Sequence, residues 1–138
     1  ARTEMMMAAL EGAMAFQKGL GAVHSLSHAL GGLHELKLHH GTLNAVLMPT
    51  VLRFNQPECE EKYARLKAVM GLATEDDLAV EFEKLNAKLG MPANLREMGV
   101  TEEHLELLSQ WALEDHSTAT NPRKPSREDF YSMLRDVF

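Results

Sequence analysis

Apolar residues recur along this chain at intervals of three and four, and almost nowhere in strict alternation. That is the period of an amphipathic helix, whereas a half-buried strand needs a period of two. From Glu4 to about Lys18 the pattern carries Met6, Leu10 and Met14 in helical register. Gly19 and Gly21 loosen the backbone, and a second helix is expected from Ala22 to Gly31, where the pair Gly31–Gly32 stops it. After an irregular segment from His34 to His39, a third helix starts near His40. It is expected to break at Pro49, whose ring nitrogen cannot donate, with Val51–Asn55 as a short continuation.

Downstream the pattern is plainer. Glu58–Val69 sets Tyr63, Leu66 and Val69 on one face. Thr74 is the expected N-cap of a helix over Glu75–Leu89, with acids at 75–77 near its positive end and Gly90 just past its far end. Residues 91–100 read as a loop containing a helical turn. Thr101 opens a helix that runs to about Asp115, a loop follows, and Ser126 caps a last helix ending near Val137. There is no internal repeat, low-complexity tract or dividing linker. The expectation is one all-α domain over residues 1–138, with roughly six to eight helices.

Composition narrows the function classes. A chain of 138 residues, 45% hydrophobic and 25% charged, is ordinary for a globular protein. Its net charge is −6 and its basic residues are scattered, so neither nucleic acid nor an anionic membrane surface is implied as a partner. The longest apolar runs, such as LNAVLM, fall far short of the ~20 residues that span a bilayer. Cys59 is the lone cysteine, which excludes an internal disulfide and points to a reducing compartment, the cytoplasm by default. The opening ARTEMMMAAL lacks the pattern of a signal peptide. It starts without Met and passes directly into a helical pattern, as after ordinary Met removal or at the cut end of a longer protein.

Candidate chemistry concentrates in one stretch. Five of the seven histidines (His24, His28, His34, His39 and His40) lie between Gly19 and Asn55. His24 and His28 stand at i, i+4, so a helix brings their Cβ atoms within about 6 Å on one face. This spacing can offer two imidazoles to a divalent metal, although an isolated HxxxH also arises by chance. Ser25 stands where a zinc peptidase has its glutamate, which argues against metal-dependent hydrolysis. Small residues flank the pair and allow close approach of a backbone or a flat ligand. His40 sits at a helix N-terminus, where the dipole favours the neutral imidazole that a metal requires. His34, His39, His104 and His116 read as surface or loop residues.

The run GAVHSLSHALGG…HHGTLNAVLMPTVLRFN resembles the histidine signature of the iron-containing (group III) alcohol dehydrogenases, a glycine-led GxxHxxxH followed by HGxxNxxxxP. Gly21, His24, His28, His40, Gly41, Asn44 and Pro49 match it in order, and Gly41 selects His40 over the adjacent His39. The approach GAMAFQKGLGA and the terminal TNPRKPSREDFYSMLRDVF are similar to the same family, so the resemblance covers the whole chain. Two departures are Ala29, where the family usually has proline, and a longer His28–His40 gap.

The resemblance implies the C-terminal helical domain of a dehydroquinate synthase-like enzyme, lacking the N-terminal domain that binds NAD or NADP. No GxGxxG or GGGS occurs in the chain. By the same resemblance His24 and His40 are ligands to Fe(II), with zinc an alternative, because both ions accept imidazole. His28 is the non-ligand histidine near nicotinamide and substrate, where it relays a proton. An Asp and a His completing the shell are expected upstream of Ala1. The implied reaction is hydride transfer between a small alcohol or aldehyde and nicotinamide, with the isolated chain inactive. A different reading is a helical interaction module that keeps this fold without its chemistry, binding a protein or a second copy. The nine Met residues suit such adaptable packing.

Overall fold

A computed structural model describes all 138 residues, and every regular element in it is helical. The α-helices are Arg2–Ala15 (α1), Ala22–Gly31 (α2), His40–Met70 (α3), Leu78–Lys88 (α4), Leu105–Glu114 (α5) and Arg127–Asp136 (α6). Short 3₁₀ turns join them. The core lies mainly in α2, α3, α5 and α6, while the apolar faces expected at Met6, Leu10 and Met14 and at Leu66 and Val69 are exposed. Leu26 and Leu30 of α2 meet Leu43 and Leu47 of α3, Leu105 and Leu108 of α5, and Phe130 and Leu134 of α6, all fully buried. α2 is the central element, with α3 on one side and α5 on the other; α6 packs on α5, and α4 on α3.

Several boundaries follow the capping chemistry. Ser126 closes a capping box, its hydroxyl accepting from the Asp129 N–H while Asp129 accepts from the Ser126 N–H. Gly90 lies just beyond α4 with φ +69°, the left-handed conformation expected of a terminating glycine. The Thr101 start takes the form of a 3₁₀ turn, Glu102–His104, before α5 proper, and His104 Nδ1 accepts from the Thr101 N–H at 3.1 Å.

Two boundary expectations are also corrected. Pro49 does not break the third helix: α3 runs unbroken through both Pro49 and Pro57. A proline at 49 leaves the Ala45 carbonyl without its helical donor, and the Asn86 carboxamide of α4 supplies one at 2.7 Å. At Pro57 the helix bends. The Tyr63 hydroxyl donates to the Leu52 carbonyl at 3.3 Å, although eleven residues of straight helix would separate the two by about 16 Å of rise. The second correction is Thr74, which is not a cap. Its carbonyl turns out to Lys67, and Asp77 caps α4 instead, accepting from the Ala79 and Val80 N–H groups at 2.8 and 3.2 Å. An aspartate three residues on outcompetes the threonine because its carboxylate reaches two backbone donors at once.

α1 stands apart. None of its residues is buried, and Met5, Met6, Met7, Leu10 and Met14 are exposed along it. No helix is long and apolar enough to cross a membrane.

Candidate metal centre

The packing of α2 on α3 brings together three histidines that the sequence singled out. The His24 ring centroid lies 5.7 Å from that of His28 and 5.2 Å from that of His40, and His28 and His40 are 5.6 Å apart. His24 and His28 share a face of α2 one turn apart, and His40 is the first residue of α3.

The N-terminus of α2 is pinned from far along the chain. Asn121 Oδ1 accepts from the Ala22 N–H at 3.0 Å, and its carboxamide pairs reciprocally with that of Asn55 in α3. A Cβ at Gly21 would lie 2.8 Å from that same Oδ1, so only glycine permits the cap. At the other end a Cβ at Gly32 would meet the Trp111 ring at 3.0 Å, where α5 closes on α2.

His40 is oriented by Ser27, which is buried. The Ser27 hydroxyl donates to the His24 carbonyl at 3.2 Å and therefore accepts from His40 Nδ1–H at 3.4 Å. This tautomer leaves the Nε2 lone pair of His40 as an acceptor, which the Asn44 carboxamide N–H approaches at 3.1 Å. The same carboxamide's Oδ1 is buried with no partner. His24 is held below the usual histidine pKa, first by burial and then by the neighbouring His40 and His28, so it is neutral near pH 7. Two imidazoles, one of them oriented by a buried hydroxyl, fit part of the shell of a divalent ion that accepts nitrogen.

His28 makes a different connection. Its Nδ1 lies 3.0 Å from Asp115 Oδ2, just past the end of α5, and the carboxylate fixes the proton on that nitrogen. Asp115 is itself oriented by the Ser117 N–H, which donates to Oδ1 at 2.8 Å. Burial pushes the Asp115 carboxyl up, yet Ser117 and then His28 outweigh it and hold the group below the ordinary carboxylate value. The His116 ring stacks at 5.9 Å from that of His28, with its Nδ1 3.8 Å from Asp115 Oδ2.

His28, Asp115 and His116 thus present one donor atom each within 4.8 Å of one another. The sequence reading placed His116 in a loop and passed over Asp115. An Asp–His pair after a helix was the only local signal, and its 87-residue separation from His28 left no spacing to read. His39 and His104 serve as helix caps and stand outside the cluster, as their surface reading implied. The histidine face opens on a groove whose other wall is Gly12, Ala13 and Phe16, with Leu20 at its end.

A family model described as Fe-containing alcohol dehydrogenase family, C-terminal, matches residues 1–138. The 4-hydroxybutyrate dehydrogenase of Cupriavidus necator is 50% identical over 141 residues, covering 97% of this chain and 37% of the relative. The 1,3-propanediol dehydrogenase of Citrobacter freundii is 37% identical over 147 residues, covering all of this chain and 38% of the relative. The crystal structure of a 1,3-propanediol oxidoreductase superposes with a TM-score of 0.76 at 36% identity, over 86% of this chain and 33% of that one. The chain therefore spans a little over a third of the length of the curated relatives it matches.

Proposed function

This chain belongs to the Fe-containing alcohol dehydrogenase family, matching its C-terminal part, and from that premise we propose that it is the metal-binding helical domain of an NAD(P)-dependent alcohol dehydrogenase. The observation that carries the reading is the convergence of His24, His28 and His40, with ring centroids 5.2 to 5.7 Å apart, on one open groove. His24 and His40 are the residues that hold the ion, as imidazoles from two helices. Bound Fe(II), or zinc, supplies a Lewis acid to the oxygen of a small alcohol or aldehyde. His28 carries a proton on Nδ1 against Asp115, which leaves Nε2 to take or give a proton on the groove side. Phe16 and Leu20 line the groove with apolar surface and keep water from the reacting oxygen.

The nicotinamide cofactor, NAD or NADP, is held mainly by a nucleotide-binding domain outside this chain. The exposed apolar side chains of α1 are the surface through which that domain, or a second copy, engages it. The isolated chain is therefore inactive as a dehydrogenase. Anaerobic calorimetry with ferrous iron and with zinc, on the chain and on His24→Ala and His40→Ala, tests the ligand assignment. The expected result is one weakly bound equivalent of ferrous iron that is lost in both variants, and with zinc the loss of one equivalent in each. Addition of a family nucleotide-binding domain is expected to restore NAD(P)-linked alcohol oxidation. If the two parts associate but no oxidation appears, the chain is a non-catalytic interaction module and the enzymatic reading is wrong.

A further inference from the structure

We infer that His28, Asp115 and His116 form a second divalent-metal site, distinct from the His24–His40 pair, that takes a borderline transition-metal ion of the zinc type. The donors are two imidazoles and a carboxylate, the mixture such ions accept. Metal–ligand bonds of about 2.0–2.2 Å place neighbouring donor atoms roughly 3.3 Å apart in a tetrahedral shell. Here Asp115 Oδ2 lies 3.0 Å from His28 Nδ1 and 3.8 Å from His116 Nδ1, which straddles that spacing. All three donors fall within 4.8 Å of one another.

Two of the three are already in place. The Ser117 N–H engages Asp115 Oδ1, so Oδ2 is the oxygen presented to both histidines. His28 is fixed against that carboxylate by the packing of α2 on α5. The third, His116, has a side chain 82% exposed, so its ring is not held by the core. An ion here takes the position of the proton that His28 Nδ1 shares with Asp115 Oδ2, and the neutral ring then carries its proton on Nε2. Exposure on the His116 side leaves a coordination position for water. The His24–His40 pair contributes no atom to this shell, so the inference does not depend on the enzymatic reading.

The test is zinc titration into the metal-free chain by calorimetry, with His116→Ala, Asp115→Asn and His24→Ala in parallel and circular dichroism to verify each fold. His116→Ala removes an exposed ring and leaves the fold intact, so it decides the matter even if Asp115→Asn loosens the Ser117 turn. The expected result is binding of about one zinc equivalent that survives His24→Ala and weakens about tenfold or more in His116→Ala and Asp115→Asn. Zinc is also expected to shift the His116 ring proton resonances. Binding by His116→Ala equal to that of the unchanged chain overturns the second site. Loss of all zinc binding in His24→Ala, with none left for His116→Ala to weaken, overturns this site.

Discussion

Ser27 occupies a position where one oxygen decides what a neighbouring ring can do. Its hydroxyl already donates to the His24 carbonyl, so the proton it meets on His40 must sit on Nδ1, and the lone pair must sit on Nε2. Replacing Ser27 by Ala removes that constraint while changing little volume. The expected effect is a loss of about tenfold in iron or zinc affinity at His24–His40, against a stability cost of only ~1 kcal/mol. Calorimetry and thermal melts on the same sample separate the two, and an unchanged affinity would show that Ser27 merely packs. Tyr63 offers a second test at this scale. Burial first, and then the adjacent Cys59, push its hydroxyl above the ordinary 10.0. The folded state therefore keeps a proton that the unfolded chain releases above pH 10, so stability is full below that pH and declines as pH rises through it. Urea midpoints between about pH 9 and 11 should fall, and Tyr63→Phe should flatten the slope.

Elements obey the same accounting of donors and acceptors over longer spans. α3 continues through Pro49 because Asn86, on α4, donates to the carbonyl that proline strands. Asn86→Ala is expected to destabilise the chain by about 1–2 kcal/mol, since it leaves the Ala45 carbonyl unpaired. In a Pro49→Ala background the helix supplies its own N–H, and the same Asn86→Ala change should cost less. A double-mutant cycle in urea reads the coupling; strict additivity would mean that Asn86 contributes only through packing. This pairing also explains why a proline-based boundary failed here. The rule that proline ends a helix assumes that nothing else satisfies the freed carbonyl, and a neighbouring helix did.

For the molecule as a whole, α1 is the element least committed to the rest. An isolated helix of 14 residues is marginal in water, and α1 buries none of its residues. Limited trypsin digestion of the dilute chain should cut first at Lys18, leaving residues 19–138 to unfold at nearly the original temperature. Protection of α1 at low concentration would sink that expectation. Protection that grows with concentration would identify a second copy as its cover.

Helix content, the Ser126 cap and the grouping of His24, His28 and His40 were readable from the sequence, whereas the apolar faces read at Met6, Leu10 and Met14 and at Leu66 and Val69 are exposed. Each readable feature is set by residues within a turn or two of one another, or by a motif whose order along the chain is informative. Asp77 in place of Thr74, the rescue of Pro49 and the bend at Pro57 depended on which of several acceptors or donors was in reach. The cap from Asn121 to α2 and the meeting of Asp115 and His116 with His28 depended on it entirely, because those partners lie 87 to 99 residues apart. Periodicity and spacing govern what the backbone can form locally. Only the packing of α5 beside α2 decides which distant carboxylate or amide completes a hydrogen bond.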